Sequence, residues 1–577
     1  MTSSNPGNDT DDTGVSTLKE EPPSPGTEPG ANKDVAEVSN GHHNNNQIFK
    51  PTRDFYLAFL ALCTIGLATA FDATSLSVAL PIISTELGGT ALEAFWSGTS
   101  FLLASTVLQP SIASLSNIFG RKYMLYVTGV FFAAGSLIAA LAGNFTIILV
   151  GRTLQGIGGG GLAALTEIVI TDLVPLAIRG QWMSLLSATW SVGTVTGPLI
   201  GAGFAQNVTW RWIFYINLPI IAIGMVFVVF FLHQAEIPGG ICQKLGRFDY
   251  FGSALFTASM TAFLFGLTTG GVMYEWASYQ VLVPLLVGPA GLVVFMYYEF
   301  NYAAVPIINR RIFNNWDIVA SYIMTVFHGM ILWSFAVLPS REILLARRLC
   351  GCRTPRDVDR GARRYSCRRS RGQDWPLSLV SLGGWMLTTL GAGILLLMGP
   401  TTTVAQWIFL NIPIGLGTGM CFPAMALSIQ ASCDPDLNGQ ATAFFTFLRG
   451  LGEGVGVAIS GVIFQNVFKQ KLMALPTYAA VADEFSRDAT IVIGVINAMP
   501  DGVDRADLVQ AFSDSLRMIW ASLIVYAGIC LVLSFTLKGH SLTQEHVTEQ
   551  RHVSRAEVRE VREEKRRSAA ALSAINV

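Results

Sequence analysis

The chain has 577 residues and balances 38 Lys and Arg against 39 Asp and Glu, a net charge of −1. Charged residues make up only 13%, where a soluble chain carries about 25%, and the mean hydropathy is +0.47. This excludes a single water-soluble core and gives no basic surface for nucleic acid; apolar runs of about 18 residues or more recur, the mark of membrane-spanning helices.

Residues 1–50 are rich in Ser, Pro, Gly, Asn and acids and poor in large apolar side chains, which predicts a disordered cytoplasmic tail. His42 and His43 fall in it and read as part of a solvated linker rather than as a metal site. No short apolar stretch with a small-residue cleavage site lies near Met1, so the first span is expected to target the chain.

Apolar segments of helical length then begin near Phe55, Ala94, Tyr123, Phe145, Trp182, Trp212, Phe251, Val281, Ile318, Leu377, Val404, Ala441 and Leu516, thirteen in all. Turn chemistry separates them at Pro175, at Pro238 with Gly239 and Gly240, and at Pro400. Basic residues follow alternate spans: Lys50 and Arg53, Arg121 and Lys122, Arg179, Lys244 and Arg247, Arg310 and Arg311. The positive-inside rule therefore places the N-terminus in the cytoplasm. The sequons at Asn144 and Asn207 fall on the opposite face, too close to the membrane to be good acceptors.

The C-terminal tail, with Arg551, Arg555, Arg559, Arg562, Lys565, Arg566 and Arg567, is expected inside by the same rule. An odd count of spans forbids that. The gap is Ser340 to Trp375, dense in arginine and without an apolar run long enough to cross. Three readings compete for this anomalous segment, 340–376. Cys350, Cys352 and Cys367 have poor zinc spacing and no His; a basic loop could touch anionic head groups; or the segment is a gene-model error, a frameshift or misread intron, since pattern-free arginine-rich sequence between patterned helices resembles out-of-frame translation. The eight cysteines are scattered and imply no disulfide framework; Cys63, Cys421 and Cys530 lie in apolar runs and read as packing thiols.

Charge inside the spans is scarce: Asp72 in the first, Arg152 and Glu167 in the fourth, His328 in the ninth, and Arg449 with Glu453 in the thirteenth. Such residues are functional candidates because even the lenient insertion scale charges about 2.5–3.5 kcal/mol for each. Gln155 lies one turn from Arg152, and Arg449 is spaced to pair with Glu453 at i,i+4. Structural alternatives stand beside each: a hydrogen bond between helices for Asp72, an arginine bonded to Gln155 and carbonyls, a self-neutralised Arg449–Glu453 bridge, a packed histidine, and a Glu167 near enough to the cytoplasmic end to reach water. Phe444, Phe445 and Phe447 suit either a greasy binding site or lipid.

Gly156 to Gly161 satisfies G-x-G-x-x-G but lies inside a span with no strand before it, so the dinucleotide reading fails. No phosphate-binding G-x-x-x-x-G-K-[ST] motif occurs, which argues against an ATP motor, and H-E-x-x-H is absent, which argues against a membrane-embedded zinc enzyme. Neither cofactor nor metal is expected.

Taken in order, Asp72 in LATAFDATSLSVALP, the loop motif Asn117-Ile-Phe-Gly120-Arg121-Lys122, VGRTLQGIGGGG around Arg152, the packing run with Gly193, Gly197, Pro198 and Gly201, and Trp210 to Pro219 resemble the signature series of the major facilitator superfamily. The span count resembles its fourteen-span drug:proton antiporter branch, with fungal multidrug and toxin efflux pumps among its members. Asn117 stands where that family usually has aspartate, which weakens a charge-based latch in the conformational-switch loop. The resemblance implies an all-α polytopic membrane protein with two six-helix bundles and two extra helices, the tenth of fourteen spans being disrupted here. It implies residues 51–235 as the N-terminal bundle, 236–312 as the inserted pair with linkers, 313–538 as the C-terminal bundle and 539–577 as a charged cytoplasmic tail. It also implies an Arg152 that faces the central cavity and acts on a nearby carboxylate.

The expectation is thus a non-enzymatic, monomeric, proton-coupled exporter of hydrophobic or amphipathic small molecules, in the plasma membrane with the vacuolar membrane as the alternative. Its partners are that small-molecule substrate, protons and the bilayer. A non-transporting sensor, or a transporter inactivated by the disrupted segment, is the rival.

Overall fold

The computed structural model describes residues 51–350 and 377–540, apart from positions 236, 272, 488–491, 493–494, 497 and 501, together with 542 and 550; side chains are described in α9 only as far as 334. The expectations for residues 1–50, for Cys350, Cys352 and Cys367, and for nearly all of the charged C-terminal tail lie outside these residues.

Thirteen long helices stand among the described residues. They are α1 (Arg53–Glu86), α2 (Ala91–Phe119), α3 (Arg121–Ala140), α4 (Phe145–Leu173), α5 (Leu176–Asn207), α6 (Trp212–Phe231, with a break at Ile216), α7 (Tyr250–Thr269), α8 (Tyr279–Asn301), α9 (Trp316–Cys350), α10 (Leu377–Leu395), α11 (Val404–Ser432), α12 (Asn438–Met473) and α13 (Val503–Ser534). Twelve are long and apolar enough to cross a membrane; α5 has the length, but its Gly, Ser and Thr hold its hydropathy lower. Four begin at the expected residue, one begins one residue earlier and six begin two or three residues earlier, since the polar first turn belongs to the helix but not to its apolar run: Thr52 accepts from Phe55 N, and Thr90 with Glu93 closes a capping box. Two begin much earlier, α5 at Leu176 rather than Trp182 and α13 at Val503 rather than Leu516.

Small residues set the packing. Gly193, Gly197 and Gly201 lay α5 on α1 at Ala70, Thr74 and Ser75, and Gly156 with Gly160 lays α4 on the backbone of α2 at Phe101 and Ser105. Gly452 and Gly456 bring α12 against α9 at Val326 and Met330. Helices α7 and α8 pack chiefly on each other and touch α2 and α12.

One face of the bundle collects the basic residues. There Arg121 bonds Asp172 at the end of α4, Lys122 donates to the carbonyls of Val229 and Leu232 at the end of α6, and Arg311 bonds Asp434 and Asp436 just after α11. The sequence reads these cations only as marks of the cytoplasmic side, and Arg121 and Arg179 prove buried, because they satisfy helix-end carbonyls and carboxylates that water would otherwise serve. The start of α9 lies on this face through Trp316–Thr536 and Asp317–His540, and the start of α10 through Leu377 beside Leu427 and Ala431. Helices α9 and α10 therefore start on the same face and run parallel, although they follow one another among the described helices. The structure meets the parity problem at the same place as the sequence does.

All five described cysteines are free thiols, and four are buried. At Cys433, just past α11, burial and the neighbouring Asp434 push the thiol up to about 12, so it packs and does not react.

Candidate functional site

Asp72 sits in the middle of α1, fully buried. Its carboxylate accepts from Arg152 Nη1 at 2.6 Å on one oxygen, and from Gln155 Nε2 at 2.6 Å and Asn217 Nδ2 at 2.8 Å on the other. Gln155 also accepts from Arg152 at 2.7 Å and donates to Ser136 at 2.8 Å, while Arg152 Nε donates to the Ser97 carbonyl at 3.1 Å. One carboxylate thus ties α1, α2, α3, α4 and α6 together. A charge pair this deep survives only where hydrogen bonds share its charge, and here Gln155, Asn217 and the Ser97 carbonyl do so, although Asn217 Oδ1 is itself buried without a partner.

The guanidinium does not face the central cavity, contrary to what the resemblance implied. The Phe101 ring lies over it, 4.3 Å from ring centre to Arg152 Cζ, and Phe101 in turn lines the cavity. The strongest pull on Arg152 is Asp72, so it lies behind the wall.

A second ionic group lies at the meeting of the halves. Arg449 on α12 bonds Glu167 on α4 at 2.9 Å, and Thr446 donates to the other Glu167 oxygen at 2.7 Å. Glu453, the expected partner one turn along, is 3.9 Å from Arg449 Nε, too far for a hydrogen bond. Glu167 does not reach water: it is 4% exposed, because α12 covers that stretch of α4. The Glu167 expectation is corrected by its contact with α12, which a reading along one helix could not find, while the Arg449–Glu453 spacing does give an i,i+4 ion pair, longer than the bond to Glu167. Towards the basic face the junction continues through Thr171 and Thr442, Gln430 and Thr442, and Arg179 and Gln430.

Arg449 and Glu453 line a central cavity of about 40 Å³ with Thr69, Phe101, Gln109, Trp190 and Trp333. That holds water but not a drug-sized molecule, which needs roughly 300 Å³ or more, so cargo requires the halves to part. Phe444, Phe445 and Phe447 do not line it: Phe444 packs on Phe313 and Tyr322, Phe447 on Phe256, and Phe445 on Phe422. A larger hollow of about 520 Å³ between α10 and α13, lined by Met386, Leu390, Leu397 and Leu531, is apolar and opens on the outer surface of the bundle.

His328 is a packed histidine: Nε2 bonds the Thr418 carbonyl at 3.0 Å, with Trp385 and Phe422 beside the ring. In the loop motif, Gly120 takes φ 103°, a turn that favours glycine, and Arg121 reaches Asp172 and Ser116. Asn117 takes no part in that network. The residue missed by sequence reading is Asn217, although its segment, Trp210 to Pro219, was singled out; it is polar in an apolar helix, which was the available signal.

With this geometry in hand, the comparisons are decisive. The Major Facilitator Superfamily model matches residues 62–346. A transporter of a Phoma species, MFS transporter L2, is 43% identical over 528 residues, covering 89% of this chain and 87% of its own length. The chain belongs to the major facilitator superfamily. It is a multi-pass membrane transporter. An MFS-type efflux pump of a Fusarium species, LUC4, is 30% identical over 541 residues, covering 90% of this chain and 94% of its own. Among solved structures, a proton-dependent oligopeptide transporter at 12% identity aligns with a TM-score of 0.51 over 84% of this chain and 100% of its own, a likeness of fold alone.

Proposed function

We propose that this superfamily member is a proton-coupled antiporter that exports hydrophobic or amphipathic small molecules. The observation that carries the reading is the buried Asp72 held by Arg152, Gln155 and Asn217. The guanidinium answers the buried carboxylate's charge there, and a movement of Arg152 would leave that charge unanswered. Phe101 stacks on Arg152 and lines the cavity, so a cargo that displaces the ring moves the cation that decides whether Asp72 holds a proton. Relatives named as efflux pumps support the outward direction. Each proton entering supplies about 2.3 kcal/mol per 100 mV and about 1.4 kcal/mol per pH unit, enough to sustain a gradient of several hundredfold.

The Glu167–Arg449 bridge and the bonds beyond it close one side of the cavity; with the basic face in the cytoplasm, this is the inward-closed state of an alternating-access cycle. Residues 51–235 and 313–538 form the two moving bundles, with 236–312 inserted, in a monomer of the plasma membrane with fourteen crossings. Gly193, Gly197, Pro198 and Gly201 keep α5 and α1 moving as one body, and Gly120, Arg121 and Lys122 hinge the inner loop.

The test is flux in reconstituted vesicles: export should follow an imposed proton gradient and stop when both pH and voltage differences collapse. Arg152→Ala should reach the membrane and export nothing. Undiminished export by that variant removes Arg152 from the mechanism. The rival, a sensor or an inactive chain, draws support from the arginine-rich stretch between Cys350 and Leu377, which has no apolar run long enough to cross. Sequencing the transcript, and expressing the chain with and without a corrected segment in a pump-deficient host, separates the two.

A further inference from the structure

Helices α7 and α8 take no part in either ionic group of the cavity, yet they carry two facing acids, Glu299 buried and Asp249 half-buried. Asp249 caps the start of α7, its Oδ1 accepting from Gly252 N at 2.8 Å and from the Tyr298 hydroxyl at 3.3 Å. Glu299, in the last turn of α8, is 3% exposed, and its Oε2 accepts from Ile307 N at 2.9 Å. The second oxygen of each, Asp249 Oδ2 and Glu299 Oε1, is buried without a hydrogen-bond partner. Both point into the gap over Gly252, where a methyl group would press on Asp249 Oδ2 and come within 2.9 Å of Glu299 Oε1.

Two orphaned carboxylate oxygens facing one gap, one of them on a residue only 3% exposed, set like charges against each other with no cation to answer them. Among the described residues neither acid has an ion-pair partner, and the nearest basic residues in sequence, Arg247 and Arg310, are exposed. Of the elements packed on this corner, α8 adds the Tyr298 phenol. Helix α2 brings only Ser111, bonded to Ser253, and α12 only Phe447, against Phe256; neither titrates.

We propose that Asp249 and Glu299 share one proton, forming a proton-binding site on the basic face that is separate from the central cavity. The proton bridges Glu299 Oε1 and Asp249 Oδ2, satisfying both orphans, and the pair titrates as a unit. Its structural consequence runs along the chain. Glu299 holds Ile307; the next turn, Arg310–Phe313, carries Arg311, which bonds Asp434 at 2.6 Å and Asp436 at 3.4 Å between α11 and α12. Loss of the proton sets two negative charges against each other and loosens this strap between the inserted pair and the following bundle. The site does not depend on the antiport reading.

The test uses the full-length protein in lipid nanodiscs. Infrared difference spectra across a pH titration should show a protonated-carboxyl band that disappears on alkalinisation and is absent from Glu299→Gln and Asp249→Asn. Both variants should fold, since Gln supplies an acceptor for Ile307 N and a donor for Asp249, and Asn is a good helix cap. Hydrogen exchange at Ile307–Phe313, corrected for intrinsic rates, should lose protection by about tenfold per pH unit as the pH rises towards the transition and level off above it in the parent protein, and be insensitive to pH in Glu299→Gln. A band that persists in both variants, or protection equally pH-dependent in Glu299→Gln, overturns the proposal. So does protection that requires added sodium or potassium, which would make the occupant a metal cation. Neither measurement involves transport, so a failure of antiport would register separately.

Discussion

In α4 the run Gly156-Ile157-Gly158-Gly159-Gly160, and in α11 the run Gly415-Leu416-Gly417-Thr418-Gly419, meet their neighbours in the same register. Gly158 faces α3 at Thr128 and Phe132, and Gly417 faces α10 at Gly384 and Thr388. Likewise Gly193 and Gly197 face Ala70 and Thr74 of α1, as Gly452 and Gly456 face Val326 and Met330 of α9. This puts His328 where Asp72 stands in the first half, Ile414 where Gln155 stands and Asn411 where Arg152 stands. One packing plan therefore holds a buried ion pair in the first half and a histidine bonded to a carbonyl in the second. Burying ions costs several kcal/mol each even in a relaxed protein, so a pair kept in only one half marks that half as the place where charge is handled. The halves differ again at α2: Gly156 and Gly160 bear on its backbone, whereas among the described residues a Cβ on Gly415 or Gly419 would meet nothing within 4 Å.

Breaking the ion pair is the strongest challenge to this contrast. Asp72→Asn should destabilise the protein by about 3–5 kcal/mol, because the guanidinium is left buried and unpaired, and thermal unfolding in detergent reads it. The double variant Asp72→Asn with Arg152→Gln should recover most of that stability but none of the proton-driven export, which separates the structural role from coupling.

The glycine registers come next. Gly160→Leu drives a side chain into the Ser105 backbone, so folded protein at the membrane should fall below detection, whereas Gly419→Leu should stay within about 0.5 kcal/mol of the parent. Equal damage from both, read by fluorescence size-exclusion, would mean that the α11 face is as closely packed as the α4 face.

Arg449→Ala should sharpen the role of the junction: it unpairs Glu167 across the halves and is expected to cut export about tenfold, a loss of about 1.4 kcal/mol, with Arg449→Lys keeping part of it. Cysteine accessibility at Ala163, scored from each side of the membrane, should rise on the basic face in the Ala variant. The smallest effect is expected in the second half, where His328→Asn should cost about 1 kcal/mol for one hydrogen bond and leave the pH dependence of export unchanged.

Much of the membrane architecture was legible in the sequence. The starts of the spans lie close to the helix starts wherever a polar cap directly precedes the apolar run, as at Phe55 and Phe145. They miss where a helix leads with polar turns, as in α13, whose Asp504, Arg505 and Asp507 are helical without being apolar. Of the candidate residues, Asp72, Arg152 and Gln155 come together, and Arg449 lies closer to Glu167 than to Glu453. Periodicity locates a neighbour one turn along its own helix but is silent on what another helix brings. That is why Asn217 and the Asp249–Glu299 corner escaped the sequence, along with the burial of Arg179.

By itself the sequence determined that this chain lives in a bilayer, where its spans begin, and that a few charges sit inside them, because the cost of exposing backbone and charge to hydrocarbon acts locally and leaves its mark in every run of residues. Which of those charges answer one another was decided only by the tertiary structure. Ion pairs and hydrogen bonds act over a few ångströms in space, and residues 80 or 145 positions apart, such as Asp72 with Arg152 and with Asn217, are neighbours only after glycines have let the helices close.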